Sequence, residues 1–383
     1  MDENEKSHTE RGDAAVKKLT AFFREQPVLV IAFLAALVTV FIIPPDREYI
    51  GYCNRTVLIQ LFGLMTAVSG IRSVGIFDAV SGTILRKTGN VRRLGLTLML
   101  ICFFASMFVT NDVVLLSFVP LTLLIFTKIP DEKSRILTVV LETAAANLGS
   151  MLTPVGNPQN LYLYDKYHLS ADMFLRVMLP AGAISLLCLC LLTFLLPKTA
   201  CSAETAFRER IPAKQTAAYF VLFGVCLCCV FRLIPDYICL AISVITALVF
   251  DRSLLKKVDY ALLGTFVCFF IFVGNIARID AVSSFFGQIL AGHELVISAL
   301  LSQVISNVPA AVMLAGFTDN GTKLLLGVNL GGLGTMIASL ASLISFQFYR
   351  KSEGAKIGRY FAVFTAINFG MLALLLLFEL IRG

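Results

Sequence analysis

The chain has 383 residues, 57% of them hydrophobic and 15% charged, and 32 basic against 25 acidic side chains give a formal charge of +7. Soluble domains carry about 25% charged and 45–50% apolar residues, so a mean hydropathy of +0.83 excludes a water-soluble globular protein and indicates an all-α polytopic membrane protein. The basic residues are spread between apolar runs, which excludes a nucleic-acid-binding patch and fits cytoplasmic loops.

Residues 1–26 mix both signs of charge and are expected to form a cytoplasmic tail. No cleavable leader is expected, because the first apolar run ends at Pro44-Pro45 and not at small residues. The first half, 27–197, opens with spans at 27–43 and 57–74. An interfacial stretch over 76–85 follows and carries Asp78, then come Arg86, Lys87, Arg92 and Arg93. The apolar run 94–126 is interrupted by Thr110-Asn111-Asp112, leaving arms of 16 and 14 residues. A spanning helix needs roughly 20, so this run is expected to be a re-entrant hairpin whose tip faces protein or water. After Lys128, Lys133 and Arg135, the run 136–164 is broken by Gly149, Pro154, Gly156 and Pro158, the pattern of a helix interrupted inside a membrane. Residues 173–196 span again.

A cytoplasmic linker is expected over 198–215, with Lys198, Arg208, Arg210 and Lys214. The second half, 216–383, repeats the plan. Spans at 217–234, 237–250 and 262–279 lead to an interfacial helix at 281–290. A second hairpin, 294–317, has its tip at Ser306-Asn307, a second broken segment covers 323–348, and a last span covers 360–381. Placing every cation-rich loop in the cytoplasm is consistent only if both hairpins re-enter. The N-terminus is then inside, the C-terminus outside, and about nine spans remain.

The halves contain a repeat, 57–165 and 262–350. Val68-Ser69-Gly70 and the fifteen residues after it match Val273-Gly274-Asn275 and its continuation without a gap. Thr110-Asn111 answers Ser306-Asn307, each tip lying four residues after a serine, Ser106 or Ser302. Asn147-Leu148-Gly149-Ser150 answers Asn329-Leu330-Gly331-Gly332, and Thr153 answers Thr335. On this topology the repeats are inverted, and inverted repeats with discontinuous helices mark secondary transporters that bind cargo at the midplane.

Hairpin tips and unwound helices offer carbonyl, amide and hydroxyl oxygens suited to sodium. One candidate site combines Ser106, Thr110, Asn111, Gly149 and Ser150, and the other Ser302, Ser306, Asn307, Gly331 and Gly332. Helix N-termini at Asn111 and Asn307 would aim positive dipole ends at an anion between them. The candidate substrate contacts are therefore Thr110, Asn111, Asp112, Thr153, Pro154, Asn157, Ser306, Asn307, Val308 and Thr335. Plainer readings compete: helix caps at the tips, serines bonding back to their own helix, packing glycines and simple proline kinks. Asp112, an acid at membrane depth, reads as a proton carrier, a sodium ligand or a water-facing cap. Val308 replaces it in the second tip. Glu142 reads as a second proton carrier or as a structural partner. Arg72, Arg232 and Arg278 sit near span ends, where they either snorkel or bind an anion. His8, His168 and His293 lie outside the spans, which leaves an intramembrane enzyme without a base or metal cluster. The ten cysteines read as apolar fillers. No enzyme activity is expected, and no cofactor other than a bound Na+.

The segments FVTNDVVLLSFVPLTLL (108–124), AANLGSMLTPVGNPQNLYLY (145–164), SNVPAAVML (306–314) and NLGGLGTMIASLASLISFQFYRK (329–351) resemble the ion transporter superfamily. They are most similar to its arsenite-permease and citrate-transporter-like permeases, and more distantly to its divalent anion/sodium symporters. The resemblance implies a homodimer in a plasma (inner) membrane, with a scaffold and a moving transport domain working by elevator-type alternating access. In the divalent-anion symporters each tip reads Ser-Asn-Thr and binds carboxylates and sodium. Here the tips read Thr-Asn-Asp and Ser-Asn-Val, closer to the arsenite-permease pattern. The expectation is ion-coupled (sodium or proton) transport of a small anion or oxyanion. The rivals are arsenite efflux or sodium/proton antiport, and more remotely a membrane-embedded enzyme or a channel.

Overall fold

The computed structural model describes residues 26–76, 89–129, 131–201 and 211–382. The expectations placed on the tail 1–25, on Asp78, Arg86 and Lys87, and on Arg208 and Arg210 of the linker fall outside these residues. Among the described residues the chain is helical, with no strand and a single isolated bridge between Asn90 and Ala200.

Two compact units emerge, and each is assembled from two stretches of chain. In the first, α1 (Pro27–Ile42) and the short α2 (Tyr49–Tyr52) pack on α12 (Tyr260–Ala277). The contact is close because Gly274 has no side chain: a Cβ there would sit 2.5 Å from the Tyr52 ring. Asn275 donates to Thr39 Oγ1 at 3.2 Å and to the Tyr49 hydroxyl at 2.8 Å. Arg278, one residue past α12, pairs with Asp46 at 2.7 Å and with Glu48 at 3.3 Å, and donates to the Tyr52 hydroxyl.

The second unit centres on α6 (Glu132–Ser150), in which all but three residues are buried. Its small residues Ala144, Ala145, Ala146 and Gly149 let neighbours approach closely. α4 (Val91–Ala105), α5 (Asn111–Phe126), α8 (Ala171–Leu192), α17 (Leu340–Lys351) and α18 (Ile357–Arg382) all pack against it. Local capping sets several helix starts: Asn90 accepts from the Arg93 N–H, Asp131 from Ser134 and Asn320 from Lys323. α3 (Arg55–Ser73) packs on α9 (Ala213–Val230) and α10 (Asp236–Phe250), and α11 (Leu254–Lys257) follows. The unit is completed by α7 (Pro158–Lys166), most of α13 (Asp280–Leu290), α14 (Glu294–Ile305), α15 (Asn307–Leu314) and α16 (Gly321–Leu330).

Among the described residues five helices, α3, α8, α9, α12 and α18, are long and apolar enough to cross a membrane, while α1, α5 and α10 are shorter apolar helices. The outward faces of α8, α9, α10 and α18 carry exposed Leu187, Leu191, Val221, Val249, Leu377 and Leu380, a surface suited to lipid. The chain is a multi-pass membrane protein. The helices flanking the tips are short, as the sequence anticipates: 15 and 16 residues for α4 and α5, 12 and 8 for α14 and α15. α13 meets α14 at a bend of 113° and does not continue it.

Candidate functional site

α5 begins at Asn111 and α15 at Asn307, each after a break in the chain. Thr110 and Ser306 hold the capping positions, yet neither hydroxyl caps its helix. Ser306 has φ +76° and bonds Ala338 O at 3.3 Å. A non-glycine residue held at such a φ stores of order 1–3 kcal/mol of strain, so the packing around the second tip imposes its shape.

Facing each tip is an interrupted helix. α6 stops at Ser150 and the chain restarts as α7 at Pro158; α16 stops at Leu330 and a short 3-10 turn, Met336–Ala338, precedes α17. Both breaks approach their tips through glycine. A Cβ on Gly149 would lie 2.6 Å from Ser106 Oγ, and one on Gly331 would lie 2.8 Å from Ser302 Oγ. Threonines five residues before the restarts pin the breaks: Thr153 donates to Met107 O, and Thr335 donates to Gln303 O at 2.9 Å. Met107 and Gln303 each lie four residues before the tip asparagine, so the same contact is made twice.

Asn147 sits at the centre of the first site. Its Oδ1 accepts from Asn111 Nδ2 and from Ser339 Oγ, both at 2.9 Å. Its Nδ2 donates to Ser342 Oγ at 3.4 Å. Asn329 is its counterpart, and its Nδ2 donates to Asn160 Oδ1 at 2.6 Å. Asn160 and Ser342 each follow their partner's counterpart asparagine by thirteen residues, so the two repeats exchange equivalent ties. The difference lies on the oxygens. Asn329 Oδ1 is buried with no hydrogen-bond partner: Asn307, the counterpart of Asn111, does not reach it, and Asn157, the counterpart of Ser339, donates instead to Ser150 Oγ at 2.7 Å.

The structure therefore gathers Ser106, Thr110, Asn111, Gly149, Ser150, Thr153 and Asn157 at one tip, and Ser302, Ser306, Asn307, Gly331, Gly332 and Thr335 at the other. Gly332 gives the Asn307 amide room, since a Cβ there would lie 2.9 Å from Nδ2. Pro154 is buried in the first break, and Asp112 and Val308 are half-buried in the first turns of α5 and α15. Ser106 and Ser302 do bond back, to Phe103 O and Ser298 O. A hydroxyl that donates keeps its lone pairs, so both oxygens retain acceptor capacity. The break carbonyls are not free of partners: Gly149 O accepts from Leu152 N, and Gly331 O from Gln303 Nε2 at 2.9 Å.

Glu142 is not brought to a tip. It lies five residues before Asn147 on the same helix and bonds Thr122 at 2.5 Å. The three arginines all have local partners. Arg72 donates to Leu116 O, Arg232 donates to Tyr164 O and Leu169 O, and Arg278 is ion-paired within the first unit. Sequence reasoning missed Asn160 and Gln303 as site residues. Asn160 donates to the carbonyls of Ser150 and Thr153, and Gln303 to those of Gly331 and Leu333, so each holds one unwound stretch open. The repeated thirteen-residue spacing was the only signal for Asn160.

Residues 19–320 match the model of the CitMHS family, described as citrate transporter. An uncharacterized transporter of Methanocaldococcus jannaschii is 33% identical over 311 residues, 80% of this chain and 84% of that protein. The inner membrane protein YbiR of Escherichia coli is 31% identical over 299 residues, 76% of this chain and 78% of that one. In fold, the chain is similar to the YdaH transporter of Alcanivorax borkumensis, with a TM-score of 0.55 at 15% identity over 87% of each chain. The chain belongs to the citrate transporter (CitMHS) family of the ion transporter superfamily and is a membrane transporter.

Proposed function

We propose that the protein is an ion-coupled secondary transporter that holds a small anion or oxyanion between its two tips. The observation that carries this reading is the duplicated arrangement, in which two helix N-termini, at Asn111 and Asn307, are each locked against a broken helix through glycine. Unpaired N–H groups at a helix start favour negative charge, and two such starts suit a carboxylate or oxyanion. The inverted relation of the repeats, elevator-type movement, a homodimeric assembly and a plasma (inner) membrane location belong to the same proposal.

The donor sets also fit a sodium ion. Ser106 Oγ, the Thr110 and Asn111 oxygens and the Gly149–Ser150 backbone would hold it at the first tip. Ser302 Oγ, Ser306, Asn307 and the Gly331–Gly332 backbone would hold it at the second, where the unpartnered Asn329 Oδ1 adds an oxygen that lacks a donor. Asp112 sets a constraint on coupling: a carboxylate in the first turn of α5 repels an anion at that helix start, so anion binding favours a proton or cation there.

Asp112 also supports a second reading, arsenite efflux or sodium/proton antiport, in which the tip acid carries the coupling ion. Proteoliposomes separate the two. Uptake of labelled citrate or another small anion against its gradient, driven by sodium or a proton gradient and lost in Asn111→Ala and Asn307→Ala, supports anion symport. Collapse of a proton gradient on adding sodium, with no anion required, supports antiport. In either case Asp112→Asn is expected to alter the pH profile of transport.

A further inference from the structure

A second polar group on α6 takes no part in the tip sites. Glu142 is fully buried, about 7.5 Å along the axis from Asn147 at 1.5 Å per residue. Its Oε1 accepts from Thr122 Oγ1 of α5, while its Oε2 has no partner. Among the described residues no basic side chain pairs with it. The titratable groups facing it are the Cys102 thiol of α4 and the Tyr360 hydroxyl of α18, which lies beside Thr143 of α6. No charged group from α8, α16 or α17 acts on it; Tyr349 of α17 is turned to Glu132 and Arg135.

A carboxylate enclosed with one hydroxyl donor and no counter-ion is strongly disfavoured, and such a group takes up a positive charge or stays neutral. A sodium ion wants several oxygens, and among the described residues Thr122 supplies the one hydrogen bond to this carboxyl. A proton needs only the carboxyl itself. The second repeat has no equivalent, because Leu324 stands five residues before Asn329.

We propose that Glu142 is a proton-binding site separate from the tips, occupied once per chain, and that its loading is coupled to the tips through α6. Proton loss breaks the carboxyl O–H bond, passes the proton to water and leaves a buried charge beside Thr122. α6 runs unbroken from Glu142 to Asn147, the residue that ties the first tip to the second repeat, so a shift of the helix at one is felt at the other. The coupling rests on the transport reading of the preceding subsection; the proton occupancy stands without it.

Infrared difference spectroscopy of the full-length protein in lipid, titrated with base, tests the occupancy. The wild type is expected to show loss of a protonated-carboxyl band that Glu142→Gln lacks and that Thr122→Val shifts in midpoint. Identical carboxyl bands in wild type and Glu142→Gln would overturn the proposal. Should Glu142→Gln not fold, an unchanged band midpoint in Thr122→Val would overturn it instead. In proteoliposomes, Glu142→Gln is expected to keep gradient-free anion exchange but lose at least tenfold in stimulation by a pH gradient. An undiminished response would overturn the coupling. If the wild type moves no anion, the transport reading fails while the infrared result still decides whether Glu142 holds a proton.

Discussion

Asn329 and Asn160 are joined by a 2.6 Å hydrogen bond between residues 169 apart in the chain, and the bond has a twin in the 3.4 Å contact from Asn147 to Ser342. Each broken helix is thereby tied to the repeat it does not belong to. The two tips are held in register by buried amides, and removing one amide exposes its partner to the full cost of an unmade bond.

Asn160→Ala takes one of two acceptors from Asn329 Nδ2, which keeps Leu325 O, and the donor from the Ser150 and Thr153 carbonyls. A loss of about 1–3 kcal/mol is expected, measured by denaturant unfolding in detergent. A double-mutant cycle with Asn329→Ala should return a coupling of about 0.5–3 kcal/mol. Strictly additive losses would contradict the tie.

Gly149→Ala and Gly331→Ala place a methyl within 2.8 Å of the residues leading into the facing tip, Phe103 and Ser106 for the first and Ala299 and Ser302 for the second. In both cases neighbouring backbone lies as close as the serine hydroxyl, so a side-chain rotation does not relieve the clash. Overpacking of this kind costs about 1–3 kcal/mol and should abolish transport. Gly224→Ala in α9 meets nothing within 4 Å and is expected to leave stability and transport unchanged. Equal behaviour of the three variants would refute the close-approach argument.

Gln303→Met gives the second repeat the residue that the first has at Met107. It removes donation to the Gly331 and Leu333 carbonyls and acceptance from Thr335 N. Hydrogen exchange should rise over 331–338 and stay unchanged over 151–157, where Asn160 does the holding. Unaltered exchange across both breaks would rule out a clamping role.

Asp46 gives a pH dependence with a definite sign. The hydrogen bond from Arg278 holds its carboxyl below the usual value of 3.8. A carboxyl lowered on folding contributes stability that is present above its unfolded pKa and lost as pH falls through the folded one. The stability difference between wild type and Asp46→Asn should therefore be full near neutral pH and shrink below about pH 4, near the reference carboxylate value. A difference that persists unchanged into acid would contradict the ion pair.

The tips and the breaks were legible because they are local. Asn111 and Asn307 announce helix starts inside apolar runs, and Gly149, Pro154, Gly156 and Pro158 cannot sit in one continuous helix. The helix ends fall at Ser150 and Leu330, where the glycine pattern points. What joins the two halves was not legible. The hydrogen bond between Asn160 and Asn329 is marked in the sequence by nothing but a thirteen-residue spacing shared by two unlike residues, Asn160 and Ser342, and Gln303 sits inside an ordinary apolar stretch. The helical pairing of α1 with α12 was hidden for the same reason, since Asn275, Thr39 and Tyr49 are scattered along the chain. The occupied carbonyls of Gly149 and Gly331 were also beyond reach, because their donors depend on the turn geometry and on Gln303.

Ligand-induced stabilisation tests most directly whether an anion is held between the tips. Purified protein is unfolded thermally with citrate, other carboxylates, sulfate or arsenite, each with and without sodium. A ligand at a hundred times its Kd adds about 2.7 kcal/mol to the folded state. The wild type should show saturable stabilisation by at least one anion, and Asn111→Ala and Asn307→Ala, still unfolding cooperatively, should show none. Stabilisation in both variants equal to that of the wild type would place the anion elsewhere.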